Sequence, residues 1–137
     1  WARNNRSGLI RVPIPKRGNP LATRLEYRSP DPSCNPYLAF SLMLAAGLKG
    51  VREGYELPVE ADANLFELDD RALGKLGIGQ LPQSLSEALH VMERSELVHE
   101  ALGEHIFEWY VRNKRREWMD YKTHVSQFEI DRYLGKL

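Results

Sequence analysis

Arg24-Leu25-Glu26-Tyr27-Arg28 runs directly into Ser29-Pro30-Asp31-Pro32-Ser33-Cys34-Asn35-Pro36-Tyr37. Read as an extended strand, the first five residues alternate faces, so Arg24, Glu26 and Arg28 point one way and Leu25 and Tyr27 the other. An Arg-Glu-Arg row fills a core badly, because buried charge needs a partner. It suits a site that holds one metal ion beside anionic groups. The turn-rich segment that follows ends in Asn35-Pro36, a helix N-cap residue and a first-turn proline. The stretch predicts a chemistry-bearing strand with a rigid exit into a helix.

Upstream, the segment 8–13 (Gly-Leu-Ile-Arg-Val-Pro) alternates and is rich in aliphatic residues, which predicts a strand. Pro13, Pro15, Gly18 and Pro20 make the next stretch a loop with Lys16 and Arg17 at its tip. A second strand over 22–28 is then close enough to pair antiparallel with the first, which places Arg11 near the Glu26 row. Downstream, Tyr37, Phe40, Leu44 and Leu48 recur at helical spacing and predict a helix over 36–52. Apolar on most sides, it reads as a central buried helix. The segment 51–79 reads mostly as loop. Ser84-x-x-Glu87 is a capping box opening a helix over 84–95. A further helix over 96–113 carries Leu97, Val98, Leu102, Ile106, Trp109 and Tyr110, with Arg112 to Arg116 as its basic last turn. Ser126-x-x-Glu129 opens a last helix over 126–134. The expected fold class is α+β: two antiparallel strands followed by a largely helical C-terminal region.

A chain of 137 residues can build one core, and 42% hydrophobic with 28% charged residues fits a folded domain rather than a disordered one. Nineteen basic and nineteen acidic residues cancel, which argues against a nucleic-acid or other polyanion binder working through its whole surface. The longest apolar run, Leu38 to Leu48, is interrupted by Ser41 and Gly47 and is too short to span a membrane. The lone Cys34 has no internal disulfide partner, which predicts a reducing cytoplasm and a small buried side chain near a helix start. Arg3, Arg6, Arg11, Lys16, Arg17, Arg24 and Arg28 face Glu26 alone through position 30. That imbalance predicts a fragment whose acidic counterpart lies elsewhere.

Glu26 has two readings. A hard divalent ion such as Mg²⁺ takes one or two protein carboxylates beside substrate phosphates; alternatively, Glu26 makes a strand-face ion pair with Arg24 or Arg28. Arg6, Arg11 and Arg28 are planar, permanently charged forks suited to carboxylate or phosphate, or else solvated surface arginines. Lys16 and Arg17 are further phosphate candidates. His90, His99, His105 and His124 contain no i, i+4 pair, so a helical zinc site is not expected. Trp109, Tyr110, Trp118 and Tyr121 read as packing or a subunit interface rather than a base-stacking platform. Neither a Gly-x-x-x-x-Gly-Lys-Ser/Thr loop nor a Gly-x-Gly-x-x-Gly fingerprint occurs, so any bound ATP is held in another way.

Several motifs taken together resemble the C-terminal part of bacterial type I glutamine synthetase. They are Asn5-Arg6-Ser7 with Leu9-Ile10-Arg11-Val12-Pro13, Arg24 to Pro32, Asn35-Pro36-Tyr37-Leu38-Ala39-Phe40, Leu81-Pro82-x-Ser84-Leu85-x-Glu87-Ala88-Leu89, Ala101-Leu102-Gly103-Glu104-His105 and the Phe128-Glu129…Tyr133-Leu134 ending. The resemblance implies ATP-dependent ligation of ammonia to L-glutamate through γ-glutamyl phosphate, with Mg²⁺ or Mn²⁺, in a cytoplasmic homo-oligomer that is dodecameric as the full-length enzyme. It assigns Glu26 to a metal, Arg28 to substrate glutamate, Arg6 to both phosphate and glutamate, and Arg11 to ATP phosphate. The family's further basic ATP contact falls at Leu21, which leaves Lys16 or Arg17 as the nearest substitute. Phe66 stands where adenylylated members carry a tyrosine, so modification at that position is not expected. The remaining metal ligands and the ammonia site belong to the family's N-terminal part, and the isolated chain is expected to be inactive. Two alternatives carry the same motifs: a γ-glutamyl-amine or polyamine ligase, and a non-catalytic oligomerisation module.

Overall fold

Three short strands gather the basic N-terminal quarter into one sheet in the computed structural model, which describes residues 1–3, 5–15 and 18–136. The chain divides into two compact units, Trp1–Gln80 and Leu81–Leu137.

In the first unit, β1 (Ala2–Arg3), β2 (Ile10–Val12) and β3 (Glu26–Tyr27) lie in that order. β2 and β3 pair antiparallel, Ile10 opposite Tyr27 and Arg11 opposite Glu26, as the sequence predicts. β1 adds a third strand that the sequence did not suggest; it runs parallel to β2, with Ala2 opposite Arg11. Ala2 is fully buried. Its strand is tied down by the Trp1 indole N–H donating to the Pro58 carbonyl at 2.8 Å and by the Ala61 N–H donating to the Trp1 carbonyl at 3.0 Å.

β3 is shorter than the strand expected over 22–28. The Arg11–Glu26 register, carried further, would set Pro13 opposite Arg24 and Pro15 opposite Ala22. Neither proline has an N–H to donate, so the ladder stops and Pro20–Ala22 forms a 3-10 turn instead. At the other end, the Arg28 N–H still reaches the Leu9 carbonyl at 3.0 Å.

Helix α1 (Pro36–Glu53) begins as its sequence dictates. The Asn35 carboxamide oxygen accepts the Tyr37 and Leu38 N–H groups at 3.0 and 3.4 Å, and Pro36 fills the first turn. Gly54 closes it in the left-handed region at φ 63°, where a Cβ is costly. Cys34 is exposed rather than buried, because it lies in the Asp31–Cys34 turn ahead of the helix. The expectation of a buried α1 also fails. Phe40 and Leu44 are each about two-thirds exposed, and no described element packs broadly against the helix. A helix apolar on several sides needs several neighbours, and the small sheet supplies none.

The segment read as loop contains a 3-10 turn at Leu65–Glu67 and the short helix α2 (Asp70–Lys75). Asp69 caps α2 by accepting the Ala72 N–H at 2.7 Å, and Leu73 is buried. Six residues are too few for periodicity to reveal.

In the second unit, α3 (Leu85–Glu93) packs on α4 (Glu96–Thr123), with Leu89, Leu102 and Val111 buried. Ser84 caps α3 by accepting the Glu87 N–H at 3.2 Å. Helix α4 breaks at Gly103 (φ 71°, ψ 158°) and then runs well past the end expected near 113. The basic run Arg112–Arg116 therefore lies inside the helix, and side chains rather than the helix end offset its charge. The Arg112 guanidinium sits 3.6 Å over the Trp109 ring, Lys114 pairs with Glu117 at 2.6 Å, and Arg115 reaches Glu93 of α3 at 2.6 Å. Helix α5 (Gln127–Tyr133) opens with a complete capping box between Ser126 and Glu129. Among the described residues, no helix is long and apolar enough to cross a membrane.

The Asn35 cap makes a graded prediction. Asn35→Ala is expected to lower stability by about 1 kcal/mol and Asn35→Gly by only a few tenths, because glycine tolerates the cap position. Chemical denaturation of the two variants beside the parent checks the order; equal losses would exclude capping as the cause.

Candidate functional site

The β2–β3 register puts Arg11 and Glu26 directly across from one another. The Arg11 Nη1 donates to Glu26 Oε2 at 2.9 Å, and Arg24 Nη2 donates to Oε1 at 3.2 Å. Both carboxylate oxygens are thus engaged by guanidinium groups. The Arg11 hydrogen bond first, aided by the charge of Arg11 and the contact with Arg24, holds the Glu26 carboxyl below the usual glutamate range against the opposing effect of desolvation. The Arg11 Nε is buried and has no hydrogen-bond partner among the described residues, which leaves one donor unspent.

Of the two partners considered for Glu26 from sequence, the structure selects Arg24, and it adds Arg11 from the neighbouring strand. Arg28 turns elsewhere: its Nη1 donates to the backbone carbonyl of Arg6. Arg6 and Arg28 are exposed, and this bond joins the two. Lys16 and Arg17 lie outside the described residues. Leu21 is almost wholly exposed in the 3-10 turn and offers no charge there.

The residues flanking Arg6 hold that segment in place. The Asn5 carboxamide nitrogen donates to the carbonyls of Ala61 and Ala63, both at 2.8 Å. Its oxygen accepts the Ser7 N–H at 2.9 Å and the Ser7 hydroxyl at 2.7 Å. The Ser7 hydroxyl oxygen in turn accepts the Leu65 N–H at 3.0 Å. The sequence pattern gives Asn5 and Ser7 no role of their own. Their partners lie more than fifty residues away in a stretch read as loop, and no local pattern announces such a contact.

Chemically, the cluster offers one carboxylate amid several cationic forks, which is an arrangement for anions. Among the described residues, no group of three or more His, Cys, Asp or Glu side chains could hold a metal ion. A lone carboxylate still fits the way Mg²⁺ is commonly bound, by one or two carboxylates beside phosphate oxygens. These residues do not close a metal site by themselves.

A family model described as glutamine synthetase, catalytic domain, matches residues 1–133. The glutamine synthetase of Mycobacterium tuberculosis is 48% identical over 135 residues, 98% of this chain and 30% of its own length. That of Methanocaldococcus jannaschii is 46% identical over 134 residues, 98% of this chain and 29% of its own. A solved structure titled "Apo GmaS without ligand" superposes with a TM-score of 0.77 at 30% identity, covering 98% of this chain and 29% of that one. The chain therefore spans about 30% of the length of these curated relatives and corresponds to their C-terminal part. It belongs to the glutamine synthetase catalytic-domain family.

Proposed function

We propose that these residues supply one side of the active site of a glutamate–ammonia ligase. The observation that carries this reading is the Arg11–Glu26 register, which sets a single carboxylate among guanidinium groups on adjoining strands. In the proposed reaction the γ-phosphoryl group of ATP passes to the γ-carboxylate of L-glutamate and ADP leaves. Ammonia then attacks the resulting acyl phosphate, phosphate departs and a proton is lost, giving L-glutamine.

Each side chain has a part that suits its chemistry. Arg11 binds a phosphate of ATP through the guanidinium N–H groups that Glu26 leaves unused. Arg6 meets both the transferring phosphoryl group and glutamate, and stabilises the charge spreading over the phosphoryl oxygens. Arg28 holds the substrate glutamate as a fork on a carboxylate. Lys16 and Arg17 are assigned to ATP phosphates from the sequence alone. Glu26 lends one carboxylate to Mg²⁺ or Mn²⁺; each of its oxygens keeps a lone pair beside its arginine bond. When bound, the divalent ion offsets negative charge on phosphate oxygens. Most of the site's metal ligands and its ammonia pocket then come from sequence outside these residues. Assembly as a cytoplasmic homo-oligomer belongs to the same reading.

In the full-length enzyme, Glu26→Ala is expected to abolish Mg²⁺- and ATP-dependent glutamine formation while size-exclusion chromatography shows assembly intact. Retained turnover would leave the chain an oligomerisation module. The same assay run with ammonia, methylamine and polyamines decides the amine, and preference for anything but ammonia would replace this reading with a γ-glutamyl-amine ligase. The isolated 137-residue chain is expected to form no glutamine, since one carboxylate cannot complete the site.

The ion pair carries its own pH signature. The folded-state pKa of Glu26 is depressed, so its contribution to stability is fully present above the ordinary glutamate value and is lost as the pH falls through the lower folded value. Carboxyl-carbon NMR titration should place Glu26 below the usual range. Arg11→Ala should move it upward, because the first cause of the depression is removed.

A further inference from the structure

We propose that Asn5 is a positioning residue that sets both glutamate-facing arginines, Arg6 and Arg28, by clamping the Asn5–Ser7 turn to the 61–65 segment. The inference rests on the roles proposed above for those arginines. Every hydrogen-bonding capacity of the Asn5 carboxamide is used: its nitrogen donates to Ala61 and Ala63, and its oxygen accepts twice from Ser7. Ser7 then accepts from Leu65, so the residues on either side of Arg6 are both tied to one distant segment. Arg6 has no comparable side-chain anchor of its own among the described residues. Its backbone carbonyl, however, is where the Arg28 guanidinium docks. The Asn5 clamp thus sets the Arg6 backbone, and the Arg6 backbone sets Arg28.

The chemistry selects asparagine over its nearest replacements. Aspartate keeps the shape and the bonds from Ser7, but it turns an oxygen toward two carbonyl oxygens that now have no donor. Alanine removes all four bonds and leaves the Ala61 and Ala63 carbonyls to find other partners. Glutamine is one methylene too long for the same four partners. Arg11 is held separately, by strand pairing and by Glu26, so its setting does not depend on this clamp.

The test is steady-state kinetics of the full-length enzyme carrying Asn5→Asp, with thermal unfolding and assembly state measured beside it. A misplacement of about 1 Å in a positioned group can cost on the order of a hundredfold in rate. The KM for glutamate, which both displaced arginines hold, is accordingly expected to rise about tenfold and kcat to fall, because Arg6 also meets the transferring phosphoryl group, while the KM for MgATP rises less because Arg11 keeps its setting. A purely structural role would lower the amount of folded enzyme and leave both KM values unchanged, and that result would overturn the proposal. Should Asn5→Asp fail to assemble, Ser7→Ala removes only the hydroxyl bonds. It is expected to raise the glutamate KM about threefold, and an unchanged value again overturns the proposal. A parent enzyme with no glutamate-dependent ATP turnover would sink the proposed function and this inference together. Normal parent turnover with unaltered variants would sink this inference alone.

Discussion

A cross-strand ion pair, Arg11 with Glu26, is the contact on which the N-terminal unit turns. It forms only because β2 and β3 meet in one register; a slip by one residue would send each side chain to the opposite face. The register is set by more than charge. Prolines 13 and 15 deny the ladder any extension at one end, and the Arg28–Leu9 bond fastens it at the other. With Glu26 so placed, Arg24 can reach its second oxygen, and Arg28, two residues on, is free to engage the Arg6 carbonyl. The polar constellation follows from a strand pairing only a few residues long.

Apolar burial contributes little to holding these groups. Among the described residues few apolar side chains are buried: Ala2, Pro13, Leu73, Leu89, Leu102 and Val111. Polar and backbone contacts take a correspondingly larger share: the N-caps Asn35, Asp69, Ser84, Ser95 and Ser126, and the stitching of residues 1–7 to 58–65. The wide exposure of α1 has the same origin. Its Tyr37, Phe40, Leu44 and Val51 form an apolar surface that no described element covers broadly, and such surfaces mark places where proteins meet further protein.

Much of the fold was legible because its signals are local. Asn35-Pro36 and Ser126-x-x-Glu129 each carry a helix start in a few residues, and the structure shows the bonds those residues were expected to make. Reading failed where the deciding partner was remote. The run Arg112–Arg116 has the composition of a helix end, yet Trp109, Glu117 and Glu93 absorb its charge and the helix continues. The apolar pattern of α1 reads as burial, but a pattern records what a surface could bury and not what lies against it. Spacing offers Arg28 as a partner for Glu26, but its guanidinium docks on the Arg6 carbonyl; the expected nearness of Arg11 to Glu26 holds, through the strand register.

By itself, the sequence determined the α+β class, the antiparallel pairing of β2 with β3, the starts of α1, α3, α4 and α5 and the family, because each rests on residues adjacent in the chain or on motifs in fixed order. Tertiary structure alone decided which guanidinium groups hold Glu26, that Arg28 docks on the Arg6 backbone, and that Asn5 and Ser7 anchor the turn carrying Arg6 to residues 61–65. The physical reason is the range of the interactions. Caps, turns and periodicity are encoded within a few residues, whereas a hydrogen bond between groups more than fifty residues apart exists only once the chain has brought them within 3 Å.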